Sequence, residues 1–176
     1  MTNPFAARWS SKEGELLKKD LIALFKSNQK WTQNTISRVG IDSRGLTDLR
    51  GLDLSGENLA NADLSCISLD YAILDRGNFE KANFYSSSLC GASVNNALLI
   101  GANLVQVTAK STVFDLSDLS NSYAMNSDFA ETSFRHCNMQ KIALSYSQCH
   151  RANFSSANLL GADLFKADFS GAIFDN

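Results

Sequence analysis

The strongest constraint in this chain is a period of five residues. From Leu49 to Phe174 the same inward position recurs in unbroken register: of 26 consecutive pentads, 21 carry Leu or Phe at the centre, and 21 carry Ala, Gly, Ser, Thr or Cys two positions earlier. An α-helix repeats its apolar face near 3.6 residues and a strand at 2, so neither accounts for a sustained five. In extended backbone, residues two apart face the same way. The small residue and the large central one therefore point inward together, and the residue between them points out. The other two residues of each pentad turn the chain. They include Gly51, Gly56, Gly91, Gly101, Asn61, Asn96, Asn121 and Asn126, all of turn-forming types. A corner every five residues winds the chain into coils. Phe114, Phe134, Phe154 and Phe174 recur every 20 residues, which predicts four pentads per coil and one column of stacked rings.

The runs Ala62-Asp63-Leu64, Ala82-Asn83-Phe84, Ala102-Asn103-Leu104, Ala152-Asn153-Phe154, Ala157-Asn158-Leu159, Ala162-Asp163-Leu164 and Ala167-Asp168-Phe169 resemble the A-(D/N)-(L/F)-x-x signature of the pentapeptide-repeat family. The resemblance covers roughly three quarters of the chain. It implies an all-β fold, a right-handed quadrilateral parallel β-helix, often with a helix covering the N-terminal end. The expected organisation is an N-terminal α-helical cap segment over residues 1–45 and a solenoid of about six and a half coils over 46–176.

Residues 1–45 lack the period. Ser10 and Glu13 have capping-box spacing, and Leu17, Leu21, Leu24 and Phe25 form one apolar helical stripe. Together they predict a helix from about Ser11 to Ser27 that closes the apolar mouth of the first coil. Trp31, Ile36, Val39 and Ile41 do not decide between a second short helix and an irregular strand. In the opening coil Leu52 and Glu57 stand where a small inward residue is expected, and a coil splayed against the cap would leave Glu57 near solvent.

The composition suits a packed domain, with 44% hydrophobic residues in 176. The longest apolar run falls far short of the ~20 residues of a membrane span, and residues 1–30 are too charged for a signal peptide. The expectation is a cytoplasmic protein with no transmembrane segment. Cys66, Cys90, Cys137 and Cys149 lack CxxC spacing, and no two stand 20 residues apart; Cys137 and Cys149 occupy inward positions as small fillers. His136-Cys137 and Cys149-His150 each have one member inside and one outside, so no metal or other cofactor is expected. Asp or Asn fills the outward position between the inward pair in 14 of 26 pentads. Short polar side chains there hold corners by accepting backbone N–H bonds, and no carboxylate pair stands out as acid and base. The chain does not read as an enzyme.

The outer columns are less uniform. One corner column runs Ser65, Tyr85, Val105, Met125, Ser145, Phe165; Tyr123 and Tyr146 lie close to it, and Leu98, Ile100 and Leu160 come from the neighbouring wall. Such an apolar outer patch marks a contact surface for an unidentified protein partner. Phe169 and Phe174 lie in the last coil and predict a homodimer through that end. Residues 1–45 hold 8 Lys and Arg against 4 Asp and Glu, and residues 46–176 hold 8 against 14. An acidic rod disfavours direct nucleic-acid binding. The primary reading is a non-enzymatic protein–protein interaction module. The family resemblance implies an alternative, a DNA-mimicking modulator of a type II topoisomerase, although Arg50, Arg76, Lys81, Lys110, Arg135, Lys141, Arg151 and Lys166 interrupt the negative walls.

Overall fold

The computed structural model describes residues 5–27 and 37–175. Its frame is a ladder of parallel bridges between residues 20 apart, from Asp53 with Ile73 and Asn58 with Asn78 through to Asn153 with Ile173. The same offset joins β1 (Thr47–Asp48) to β2 (Ile67–Ser68). Four bridged positions, five residues apart, pass before a column repeats, so every coil has four walls. Each wall is only one bridge long because corners flank it. The central amide donates to the following coil, as Leu54 N does to Ile73 O at 2.7 Å, and the outward residue donates back, as Ile73 N does to Leu52 O at 3.0 Å.

The corners are four-residue turns closed from the central carbonyl, for example Leu52 N to Leu49 O at 3.1 Å. Their third residue has positive φ, 73° at Gly51 and 61° at Asn61, which is the type II requirement. Most such positions nonetheless carry ordinary side chains, including Tyr71 (φ 60°), Leu116 (64°) and Tyr146 (61°). The left-handed region costs such a residue about 1–2 kcal/mol. The closed ladder outweighs that cost at each corner.

Inside, the phenylalanine column forms as the spacing predicts. Phe114, Phe134, Phe154 and Phe174 stack with successive centroids 5.2, 5.1 and 5.1 Å apart and ring planes within 18°. Val107, Ala109 and Ala124 are fully enclosed, and the ladder passes them without an insertion. From Thr112 to Cys137 the small inward residue is never Ala; it is Thr, Ser or Cys. Thr112, Ser117, Ser127 and Thr132 donate their hydroxyls to the carbonyls of Leu89, Val94, Leu104 and Ala109 at 2.6–2.7 Å. A buried hydroxyl without a partner costs about 1–3 kcal/mol, so these bonds are what let polar residues line the core.

At the N-terminal end lie α1 (Ala6–Ser10) and α2 (Lys12–Ser27). The cap residue is Ser11, whose Oγ accepts from Gly14 N at 3.0 Å, rather than Ser10; Ser10 closes the short α1, which the sequence pattern does not announce. Gly14 allows the two helices to meet, because a Cβ there would strike Arg8 O and come within 3.0 Å of Trp9 Cα. Leu21 and Phe25 of α2, with Trp9 of α1, share one apolar cluster with Leu49, Leu52 and Leu54, while Leu24 is only half-buried. Trp9 Nε1 donates to Arg50 O at 2.8 Å. Glu57 meets Lys26 of α2 at 2.8 Å, and Asp53 meets Lys18 at 3.6 Å. Basic α2 and acidic solenoid thus attract each other at the mouth. Trp31 and Ile36 lie outside the described residues; Val39 is buried, and Ile41 makes an antiparallel bridge with Thr47.

Candidate interaction surface

The outward position between the inward pair builds the walls. Asn58, Asp63, Asn78 and Asn158 each accept with Oδ1 from the backbone N–H two residues on, at 3.0–3.3 Å. The amides also link coils: Asn103 Nδ2 donates to Asn83 Oδ1 at 2.9 Å, and Asn83 Nδ2 to Asp63 Oδ1 at 3.0 Å. These short side chains are committed to structure, which leaves the larger outward residues to define the surface.

Tyr85, Tyr123, Tyr146 and Phe165 are exposed, and Val105 and Met125 are half-buried. The corner column is interrupted at Ser145, which is buried and donates to Asp163 Oδ2 at 2.5 Å. Two groups result. Tyr85, Val105, Met125 and Tyr123 belong to the middle coils. Tyr146 and Phe165 meet edge to face at 5.6 Å, with the Lys166 ammonium 5.5 and 5.3 Å from their centroids. Along the corner column the polar Ser145 thus stands between Met125 and Phe165. Leu98 is exposed and Ile100 half-buried on the wall bridged through Asn78, Leu98 and Asp118, which the Asn83–Asn103 ladder separates from the Val105 column. Leu160 is exposed three coils beyond Ile100 and stands apart. In the last coil Phe174 is 48% exposed and Phe169 partly so, packed at 5.7 Å.

A second apolar wall escapes the column sorting. Tyr71, Ile73 and Leu116 are exposed and Val113 is half-buried beside them. A cavity of about 700 Å³ opens there, lined by these residues' neighbours Gly91, Cys90, Lys110 and Ser111 as well as by Tyr71, Ile73 and Val113. The available signal was a glycine one coil after an aromatic in the same corner column.

On the adjacent wall Arg44 holds the chain entering the solenoid. Its guanidinium donates to Asp42 Oδ2 at 2.6 Å, Asp70 Oδ2 at 2.6 Å, Ser68 Oγ at 2.9 Å and Ser88 Oγ at 2.7 Å. Burial works to raise the Asp42 carboxyl, but hydrogen bonds from Leu46 N and Arg44 outweigh it and hold it below its ordinary range. The Cys137 and Cys149 thiols are pushed up to about 12 by burial, which removes their nucleophilic form at neutral pH. Among the described residues no three of His, Cys, Asp or Glu gather as a metal set. Among them, too, no helix is long and apolar enough to cross a membrane.

A four-sided parallel β-helix wound from five-residue units defines the structural class. The family model for pentapeptide repeats matches residues 78–114 and 144–176 in 8 copies, so the chain carries pentapeptide repeats. The stretch between the two matches is where Ser, Thr and Cys replace inward Ala, yet the bridges cross it in register. Solved structures similar to this chain include HetL, a pentapeptide repeat protein involved in heterocyst differentiation regulation from the cyanobacterium Nostoc sp., at 23% identity over 72% of this chain and 74% of that one, with a TM-score of 0.29. QnrB1, a plasmid-mediated fluoroquinolone resistance protein, shares 20% identity over 71% and 73%, with a TM-score of 0.48. A pentapeptide repeat protein of the Arabidopsis thaliana thylakoid lumen shares 21% over 77% and 78%, with a TM-score of 0.32. No curated protein matches the sequence.

Proposed function

We propose that this chain is a non-enzymatic, cytoplasmic protein-interaction module. Residues 1–45 serve as the cap and 46–176 as a rigid rod of about six and a half coils. The observation that carries this reading is the exposed cluster of Tyr146, Phe165 and Lys166. Two exposed rings in edge contact, with the Lys166 ammonium 5.5 and 5.3 Å from their centroids, offer an aromatic anchor of the kind enriched at protein interfaces. The half-exposed Phe169 and Phe174 support self-association through the last coil, since two such ends meeting about a two-fold axis cover both at once.

Light scattering over a range of concentrations, with wild type and Phe174→Lys, tests the second part. The wild type is expected to show twice the mass of the variant, and a wild type monomeric at high concentration overturns the dimer. For the wall, Tyr146→Lys with Phe165→Lys is expected to abolish recovery of a host partner that wild type retains, with unchanged melting. Recovery of the same partner at the same yield would sink it. A DNA-mimicking modulator of a type II topoisomerase is the second reading, supported by the 14 Asp and Glu against 8 Lys and Arg of residues 46–176. Gyrase supercoiling with added protein tests it; no change in supercoiling or in drug sensitivity excludes it.

A further inference from the structure

The cavity at Tyr71 and Gly91 lies away from the surfaces just discussed and has features of a small-molecule site. Its volume of about 700 Å³ falls in the range of ligand pockets, about 300–1,000 Å³. The Tyr71 ring lies over Gly91, where an added Cβ would meet its ring carbons at 3.0 and 3.1 Å. On its other side Tyr71 meets the Phe5 ring at 5.8 Å, and Phe5 is covered by the Arg50 guanidinium at 4.4 Å. The aromatic wall is therefore held in place before any ligand arrives.

Ile73 and Val113 supply apolar contact, and Lys110 is the one charged side chain in the lining. Its ammonium faces Asp128 at 3.0 Å and, with three donors in all, keeps others for an incoming acceptor. The nearby carboxylates are already engaged: Asp128 pairs with Lys110, Glu131 accepts from Ser111 Oγ at 3.4 Å, Asp75 accepts from Ser93 Oγ and Asn95 N, and Asp70 from Arg44 and Cys90 N. The backbone offers no edge to a peptide, because Ile73, Ser93 and Val113 N–H groups all donate to the preceding coil. The opening spans two coil steps, ~10 Å, which suits a ring system better than an extended strand.

We propose that this cavity binds a small amphipathic anion, an aryl or branched-alkyl group carrying one carboxylate or sulfonate. The apolar body lies between Tyr71, Ile73 and Val113, and the anion meets Lys110. This site is independent of the protein-docking reading, and either can fail alone.

Fluorescence titration of the full chain with 1-anilinonaphthalene-8-sulfonate, and with the uncharged N-phenyl-1-naphthylamine, tests it. Wild type is expected to saturate with one sulfonate probe per chain at this site. Val113→Glu, with Ile73→Glu as an independent second variant, weakens it by about tenfold or more, as a charge placed against the apolar body should. Lys110→Gln weakens the sulfonate about fivefold and leaves the neutral probe unchanged. The proposal is overturned if wild type binds neither probe, if both glutamate variants bind as wild type does, or if Lys110→Gln weakens the two probes equally. It is also overturned if the signal disappears in Phe174→Lys instead, which would place the probe on the last coil.

Discussion

Each corner asks one residue for a positive φ, and the chain answers with whatever side chain stands there. Leu116 is the clearest cost. It sits at φ 64° and is 58% exposed, so it bears the strain of the left-handed region without the return of burial. Asn enters that region far more readily, and Asn96 occupies the equivalent corner one coil earlier. Leu116→Asn should raise stability by ~0.5–1 kcal/mol, or about 1–4 °C in melting temperature. Thermal denaturation followed by circular dichroism checks this, and a lower midpoint would show that Leu116 makes a contribution its exposure hides.

The turn at residues 42–46 depends on one side chain for its attachment. Asp42 N donates to Leu46 O at 2.8 Å, while both Asp42 oxygens accept from within the turn and Arg44 spans to Ser68, Asp70 and Ser88. Removing one partner of a buried pair costs about 3–5 kcal/mol. Arg44 is 41% exposed, and solvent screening reduces the expected cost of Arg44→Gln to about 1–2 kcal/mol. The pH dependence has a definite sign. Asp42 is held below its ordinary value of 3.8 in the folded state, so its contribution is present above that pH and is lost as pH falls through the lower folded value. The stability gap between wild type and Arg44→Gln should therefore narrow from pH 5 to pH 3. Melting curves at pH 7, 5 and 3 measure it, and a gap that widens in acid would refute the assignment.

At the scale of the whole molecule, a solenoid is held by contacts between neighbouring coils, so damage spreads along the axis before it reaches the far end. Phe154 is 2% exposed, stacked 5.1 Å from Phe134 and from Phe174 and in edge contact with Phe169. Phe154→Asp removes the ring, which costs about 3–5 kcal/mol, and places a carboxylate among apolar rings. The coils after about residue 139 should unravel while those against α1 and α2 persist. Limited proteolysis with mass analysis should yield a stable N-terminal fragment. Loss of the entire chain at once would show that the solenoid melts as a single unit.

The amino-acid sequence alone determined the coil and its faces. Alternation in extended backbone is a local property, so a strict period of five assigns inward and outward positions without knowledge of any distant partner; Leu54, Phe79 and Phe134 could stand nowhere else. The 20-residue recurrence of phenylalanine pointed to four walls, which the five-residue period does not itself fix, and the stripe from Leu17 to Phe25 announced α2. Contacts beyond that register were decided only by the tertiary structure. Ser145 turns to Asp163, 18 residues on, within an otherwise largely apolar corner column. Arg44 reaches residues 24, 26 and 44 positions away, and Glu57 depends on a lysine 31 residues earlier. The cavity exists because the Tyr71 ring leans over Gly91. Side-chain direction at a corner, and the volume left where a neighbour has no side chain, follow from three-dimensional packing and have no signature in a one-dimensional period.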